Sequence, residues 1–206
     1  MTNPELAHQS NERFVLPSNV TLEELLDRLV EGRIPVHDYG VGNAKTIHHL
    51  LSEVNEGESI ITIDDKGDVH REVNVLWIDV LCELSDGSIY YLKEDRQDFK
   101  NGKTKRRELD SSIGEKLKPL ESPEEAVRRA ISEELGVNDY TSLYNIGYKE
   151  KTFIPDTFPG IESTYKMYQF VSMIPETAYN KDGYVEYQVD KTNYYTWELL
   201  RHAPKN

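Results

Sequence analysis

The sequence predicts an α+β domain carrying a helical extension at its N-terminus. Three observations point there. Apolar residues recur at helical spacing in the first 57 positions, the period then shifts to that of strands, and one sharply bounded helix near 123–135 interrupts the strand pattern. With 206 residues, 37% of them hydrophobic and 30% charged, the chain is long enough to bury a substantial core.

In chain order, residues 1 to about 18 read as a polar tail without a signal-peptide core. Thr21 and Glu24 are spaced as a capping box, and Leu22, Leu25, Leu26, Leu29 and Val30 follow at helical spacing until Gly32 and Pro35 stop the helix. A second amphipathic helix carries Ile47, Leu50, Leu51 and Val54 and stops at Gly57. His37, His48 and His49 do not have zinc-ligand spacing and read as surface histidines. Residues 1–57 thus form a tail and a two-helix extension, and 58–206 the main domain. Two amphipathic helices must bury their apolar faces somewhere, so a homodimer through them stays open beside packing on the same chain.

Ser59–Ile63 reads as a strand, Val73–Leu84 as a central one, and Ile89–Leu92 as the next, with DDKG and SDGS as turns. The KNGK turn at 100–103 joins Asp98–Phe99 to Thr104–Leu109. Cys82, the single cysteine, excludes a disulfide within the chain and falls in the central strand as a buried, inert thiol; a reducing, cytoplasmic setting is expected. Beyond the 123–135 helix, strands are expected at Tyr144–Phe153, Tyr165–Ile174, Tyr184–Val189 and Tyr194–Leu199, with a rigid two-proline loop over Ile154–Ile161. Tyr194, Tyr195 and Trp197 suit either stacking on a base or packing across a sheet, and the strand context favours packing.

A net charge of −13 argues against a chain that coats nucleic acid or anionic membrane, and no apolar run approaches the roughly 18 residues a membrane helix needs. The exception is Lys93–Arg107, where seven basic residues outnumber three acidic ones. Lys105, Arg106 and Arg107 at its end are candidate contacts for an anionic ligand, unless the segment is simply a solvated hairpin tip.

The chemistry concentrates in Gly114–Val137, GEKLKPLESPEEAVRRAISEELGV. Ser122 is a good N-cap, Pro123 suits the first helical position, Glu125 completes a capping box and Gly136 supplies the stop. Val127, Ile131 and Leu135 make an apolar stripe, while positions 130, 133 and 134 fall within about 100° of one another on the helical wheel. Glu133 and Glu134 are therefore candidate ligands for a hard divalent cation. Arg129 lies one turn before Glu133 and is equally placed to reach back to Glu121 and brace the loop.

These 24 residues resemble the Nudix box: Gly, five residues, Glu, seven residues, Arg-Glu, an aliphatic, any residue, Glu-Glu, any residue, Gly, an aliphatic. Glu121, Arg129, Ile131, Glu133, Glu134, Gly136 and Val137 take their positions without a gap, and the surrounding pattern extends the resemblance over about 58–200. The resemblance implies an α-β-α sandwich, a mixed sheet flanked by helices. It also implies a pyrophosphohydrolase using Mg²⁺ or Mn²⁺ on a nucleoside diphosphate linked to another group, or on a related diphosphate. Glu133 and Glu134 would hold the metal; Glu121, Arg129 and Gly136 would be structural. The general base differs among family members, and Asp156, Glu162 and Glu186 are candidates by position. Two places depart from the box. Glu115 stands where its first Gly belongs, one residue after Gly114, and is a candidate further metal ligand. Ala130 replaces the Glu of Arg-Glu, which keeps open a second reading, a fold of this type that binds a nucleotide-like ligand or a protein partner without cleaving it. Nucleic acid and membrane are not expected as partners.

Overall fold

The computed structural model describes residues 13–106, 109, 111–139 and 142–201. The chain forms two compact units. One comprises the described residues up to Val73 together with Lys151–Tyr165; the other comprises Asn74–Glu150 with the described residues from Lys166 onward.

The first unit contains β1 (Phe14–Val15), α1 (Leu22–Glu31), α2 (Ile47–Asn55), β2 (Ile60–Ile63) and the opening five residues of β3 (Val69–Glu83). Thr21 and Glu24 form the capping box of α1. Thr46 and His49 form one on α2, in which the imidazole Nδ1 accepts from the Thr46 amide at 3.2 Å. One of the three histidines therefore has a local structural role. β1 pairs antiparallel with β2, and β2 with β3, placing Ile61 opposite Arg71. Leu25 and Leu29 of α1, Leu50 and Val54 of α2, Ile61, and Phe158 and Ile161 from the two-proline loop make this unit's core. The two N-terminal helices thus bury their apolar faces within their own unit, in company with strands and with a segment a hundred residues downstream. β1 lies inside the stretch expected to be tail; a two-residue strand leaves no period to read.

A largely buried charged network lies in the same unit. Arg71 Nη2 donates to Glu53 at 2.5 Å, Arg71 Nε to Ser59 Oγ at 3.0 Å, and Lys45 Nζ to the other Glu53 oxygen at 2.8 Å. The Arg71 guanidinium also lies 4.6 Å from the Phe158 ring centroid. Glu53, Ser59 and Arg71 are all buried, so each charge depends on the others for its hydrogen bonds.

The second unit holds the rest of β3, then β4 (Ile89–Phe99), β5 (Thr104–Lys105), β6 (Ile113–Lys116), α3 (Pro123–Leu135), β9 (Tyr184–Tyr187) and β10 (Lys191–Arg201). β7 (Ser142–Phe153) and β8 (Glu162–Ile174) pair with each other and run through both units. Among the described residues, the pairings between β1 and β2, β2 and β3, β3 and β4, β3 and β6, β4 and β5, β4 and β10, and β9 and β10 are antiparallel, which with three α-helices makes an α+β fold. β3 pairs with β6 up to Ile78 and takes up β4 at Leu81. The buried Ser112 hydroxyl fills the split, accepting from the Val80 amide at 2.9 Å and donating to the Leu92 carbonyl at 2.6 Å. Gly114 sits opposite Trp77, where an added Cβ would come within 2.7 Å of the indole, so the close strand approach requires glycine.

Several strands differ from expectation, and β3 and β8 begin earlier than read, at Val69 and Glu162. β4 runs on to Phe99 instead of ending at Leu92, because its far half is a polar strand, with Glu94 and Gln97 turned into the protein. β6 was not anticipated, and β10 begins at Lys191 instead of Tyr194. Cys82 is fully buried, and burial pushes its thiol up to about 11. The aromatic C-terminal residues pack across the sheet: Tyr195 is in the core, Arg96 stacks on Tyr194 at 3.8 Å, and Trp197 contacts Tyr179 and Tyr184. Among the described residues, no helix is long and apolar enough to cross a membrane.

Candidate functional site

Helix α3 starts and stops where its sequence dictates. The Ser122 hydroxyl accepts from the Glu125 amide, the Glu125 carboxylate accepts from the Ser122 amide at 2.8 Å, and Pro123 occupies the first turn. Gly136 closes the helix in the left-handed conformation with φ 68°, donating to the Ser132 carbonyl at 3.0 Å. Ala126, Val127, Ala130 and Ile131 are buried against Leu76, Ile78 and Phe170. Ala130 has no exposed surface at all. The position that the box reserves for a carboxylate is here part of the packed core.

Arg129 is the hub of the preceding loop. Its Nε donates to Glu121 at 2.8 Å, and its Nη2 to the other Glu121 oxygen at 3.0 Å and to the Lys116 carbonyl at 2.9 Å. These bonds hold the Glu121 carboxyl below the usual range and keep the Arg129 guanidinium protonated. They also clamp a loop in which Leu120, fully exposed, adopts φ 65°, a strained value for a side chain of its kind. Arg129 Nη1 reaches Glu133 at 3.0 Å, and Lys118 Nζ lies 3.6 Å from the same carboxylate. Glu133 is half-exposed and engaged on this surface.

Glu134 goes the other way. It is buried and lines a polar pocket of about 160 Å³. One wall comes from β6 and the residue before it, with Ser112, Gly114 and Glu115; another from β4, with Glu94 and Gln97; a third from β10, with Lys191, Asn193 and Tyr195. The Tyr195 hydroxyl donates to Glu134 Oε2. Burial, reinforced by the charges of Glu186 and Glu115, pushes the Glu134 carboxyl up to about 8, against the opposing pull of the Tyr195 hydrogen bond and Lys191. Tyr195 is itself pushed up, by burial first and then by Glu134 and neighbouring carboxylates. Gln97 Nε2 donates to Glu94 at 3.2 Å, and Asn193 Nδ2 to Glu186 at 2.5 Å. Asn193 Oδ1 is buried without a hydrogen-bond partner.

Of the residues singled out from sequence, Glu134 and Glu115 line the pocket together, and Glu133 does not. Glu186 belongs to the same unit, close enough to act on both Glu134 and Tyr195. Asp156 and Glu162 belong to the first unit, where Glu162 pairs with His70 at 3.1 Å. Lys105 is exposed on β5, Arg106 is paired to Asp95, and Arg107 lies outside the described residues. Sequence reasoning missed Glu94, Gln97, Lys191 and Asn193. The available signal was polar residues inside strands whose neighbours on the same face are core.

The donors here are hard oxygens: carboxylates and one orphaned amide oxygen, in an acidic setting with a single lysine on the lining. That chemistry suits Mg²⁺ or Mn²⁺ and not a thiophilic metal. Among the described residues, no three His, Cys, Asp or Glu side chains are gathered tightly enough to hold a metal ion as they stand.

No protein-family model matches the sequence, and no curated protein matches it. The chain is similar to solved structures of low identity. A MutT/nudix family protein from Enterococcus faecalis is 18% identical, with a TM-score of 0.40, over 63% of this chain and 44% of that one. The chain thus spans less than half the length of that protein. A C. elegans Ap4A hydrolase is 12% identical at a TM-score of 0.34, over 60% of this chain and 77% of that one. An RNA complex of T. brucei MERS1 is 14% identical at a TM-score of 0.35, over 82% and 55%.

Proposed function

We propose that this protein is a divalent-cation-dependent, Nudix-type hydrolase of a phosphoanhydride bond, acting on a nucleotide-like diphosphate. The observation that carries the reading is Glu134. An acidic side chain is buried in an acidic polar pocket, on a helix whose cap, Arg129–Glu121 brace and terminal glycine follow the Nudix pattern. Four glutamates in and around one small pocket repel a phosphate unless a cation intervenes. When bound, Mg²⁺ or Mn²⁺ would neutralise charge on the phosphate oxygens and polarise the phosphorus towards attack.

The chain's own residues then take distinct roles. Glu134 and Glu115 supply the anionic oxygens of the site. Glu186, held by Asn193, accepts the proton of the attacking water; the oxygen forms the new P–O bond as the bridging P–O bond breaks and the second phosphate departs. Lys191 meets negative charge on the ligand, and Arg129 with Glu121 fixes the loop that shapes one wall. Glu133 supports the loop from the surface, joined to Arg129 and Lys118.

A second reading, ligand binding without turnover, is favoured by one observation: Ala130 is core packing and leaves α3 with one carboxylate in the pocket. A mass-spectrometric hydrolysis screen over nucleoside diphosphate derivatives, with and without Mg²⁺ and Mn²⁺, separates the two. Cation-dependent turnover of any member supports the hydrolase; binding of nucleotide with no turnover across the panel supports the second reading.

A further inference from the structure

Asn193 on β10 stands directly opposite Glu186 on β9 in the antiparallel register. Its Nδ2 donates to Glu186 Oε2 at 2.5 Å, the residue is 3% exposed, and its Oδ1 has no hydrogen-bond partner. The bond to Glu186 decides which way the amide faces. Turned over, Oδ1 would abut a carboxylate oxygen and Nδ2 would lose its acceptor. The orphan is thus an oxygen, held in place by its own side chain's other arm. Native folds rarely bury an acceptor without a donor, and they keep one where a ligand or ion supplies what is missing. The pocket that Asn193 lines also takes Glu134 from α3 and Glu115 from β6, two of the hard oxygen donors that a divalent cation prefers.

We propose that Asn193 Oδ1 is a direct ligand of the divalent cation in this pocket, the neutral oxygen that the β9–β10 hairpin contributes beside the carboxylates of α3 and β6. The proposal rests on the reading of the pocket as a cation site. It makes the Asn193–Glu186 pair act jointly, the carboxylate orienting the amide and the amide oxygen closing the coordination. The competing occupant is an ordered water, which would satisfy Oδ1 equally and leave cation affinity independent of it.

Mn²⁺ binding to the full chain, followed by loss of the free-ion EPR signal, tests this without reference to activity. Wild type, Glu134→Gln, Asn193→Ala and Asn193→Asp are compared, with a thermal melt of each. Asn193→Ala is expected to weaken Mn²⁺ by about tenfold or more. Asn193→Asp, which keeps an oxygen and adds a charge, is expected to bind more tightly than wild type while melting lower without the ion. Binding lost in Glu134→Gln but unchanged in Asn193→Ala overturns the Asn193 assignment alone, and assigns the oxygen to a water. Absence of binding in wild type, or wild-type binding in Glu134→Gln, overturns the cation reading and this inference with it. If Asn193→Ala does not fold, Asn193→Asp decides: tighter binding supports the proposal, and equal or weaker binding overturns it.

Discussion

The Tyr195 hydroxyl on β10 donates a hydrogen bond to the buried Glu134 carboxylate on α3, joining the helix to the sheet at the floor of the pocket. That bond, with the charge of Lys191, favours the charged form of Glu134 against its burial. Tyr195→Phe should therefore push the Glu134 carboxyl higher still and weaken cation binding at neutral pH. A stability loss of about 1–3 kcal/mol in urea unfolding is expected from the stranded buried acceptor.

Glu134 also sets a pH dependence. Its carboxyl titrates near 4.5 in an unfolded chain and at about 8 in the fold. Below both values the two states carry the same proton; between them only the folded state retains it. The folded state binding more protons means that stability falls as pH rises from about 4.5 towards 8. Glu134→Gln should flatten that decline and stand above wild type at the alkaline end, by an amount on the order of a few kcal/mol. Melting curves across this range check it, and parallel profiles for the two proteins would contradict it.

Arg129 makes bonds that a lysine cannot copy, since two of its nitrogens serve the two Glu121 oxygens while one also reaches a backbone carbonyl. Arg129→Lys should cost about 1.5–3 kcal/mol and release the 117–121 loop. Faster amide hydrogen exchange at Glu121, whose amide donates to Lys118, is the expected signature.

In the first unit, Glu53→Ala would leave the buried Arg71 guanidinium without its carboxylate. A loss of about 3–5 kcal/mol is expected by chemical denaturation. Replacing both residues together with apolar side chains should restore much of that loss.

How much was legible follows from where each signal lies. Helix α3 was readable to its ends because Ser122, Pro123, Glu125 and Gly136 carry their instructions locally. The capping box of α1 was equally plain. The far half of β4 was hidden because Glu94 and Gln97 are polar residues in core-facing places, and a hydrophobic-periodicity reading takes such a segment for a hairpin tip. Asn193 was lost in the same way among the tyrosines of β10. On α3 the wheel grouped Glu133 with Glu134, but adjacent residues diverge by about 100°, and Arg129 and Lys118 hold the first while Tyr195 holds the second. Lys118 and Tyr195 lie on other segments, which no local pattern discloses; only the Arg129–Glu133 pair, one helical turn apart, is local.

That divergence gives the most direct test of the central claim, that the pocket carboxylate of α3 is Glu134. Isothermal titration of Mn²⁺ into wild type, Glu133→Gln and Glu134→Gln should give saturable binding in wild type, a similar affinity in Glu133→Gln, and none in Glu134→Gln. Equal loss in both variants, or binding that survives in Glu134→Gln, would contradict it.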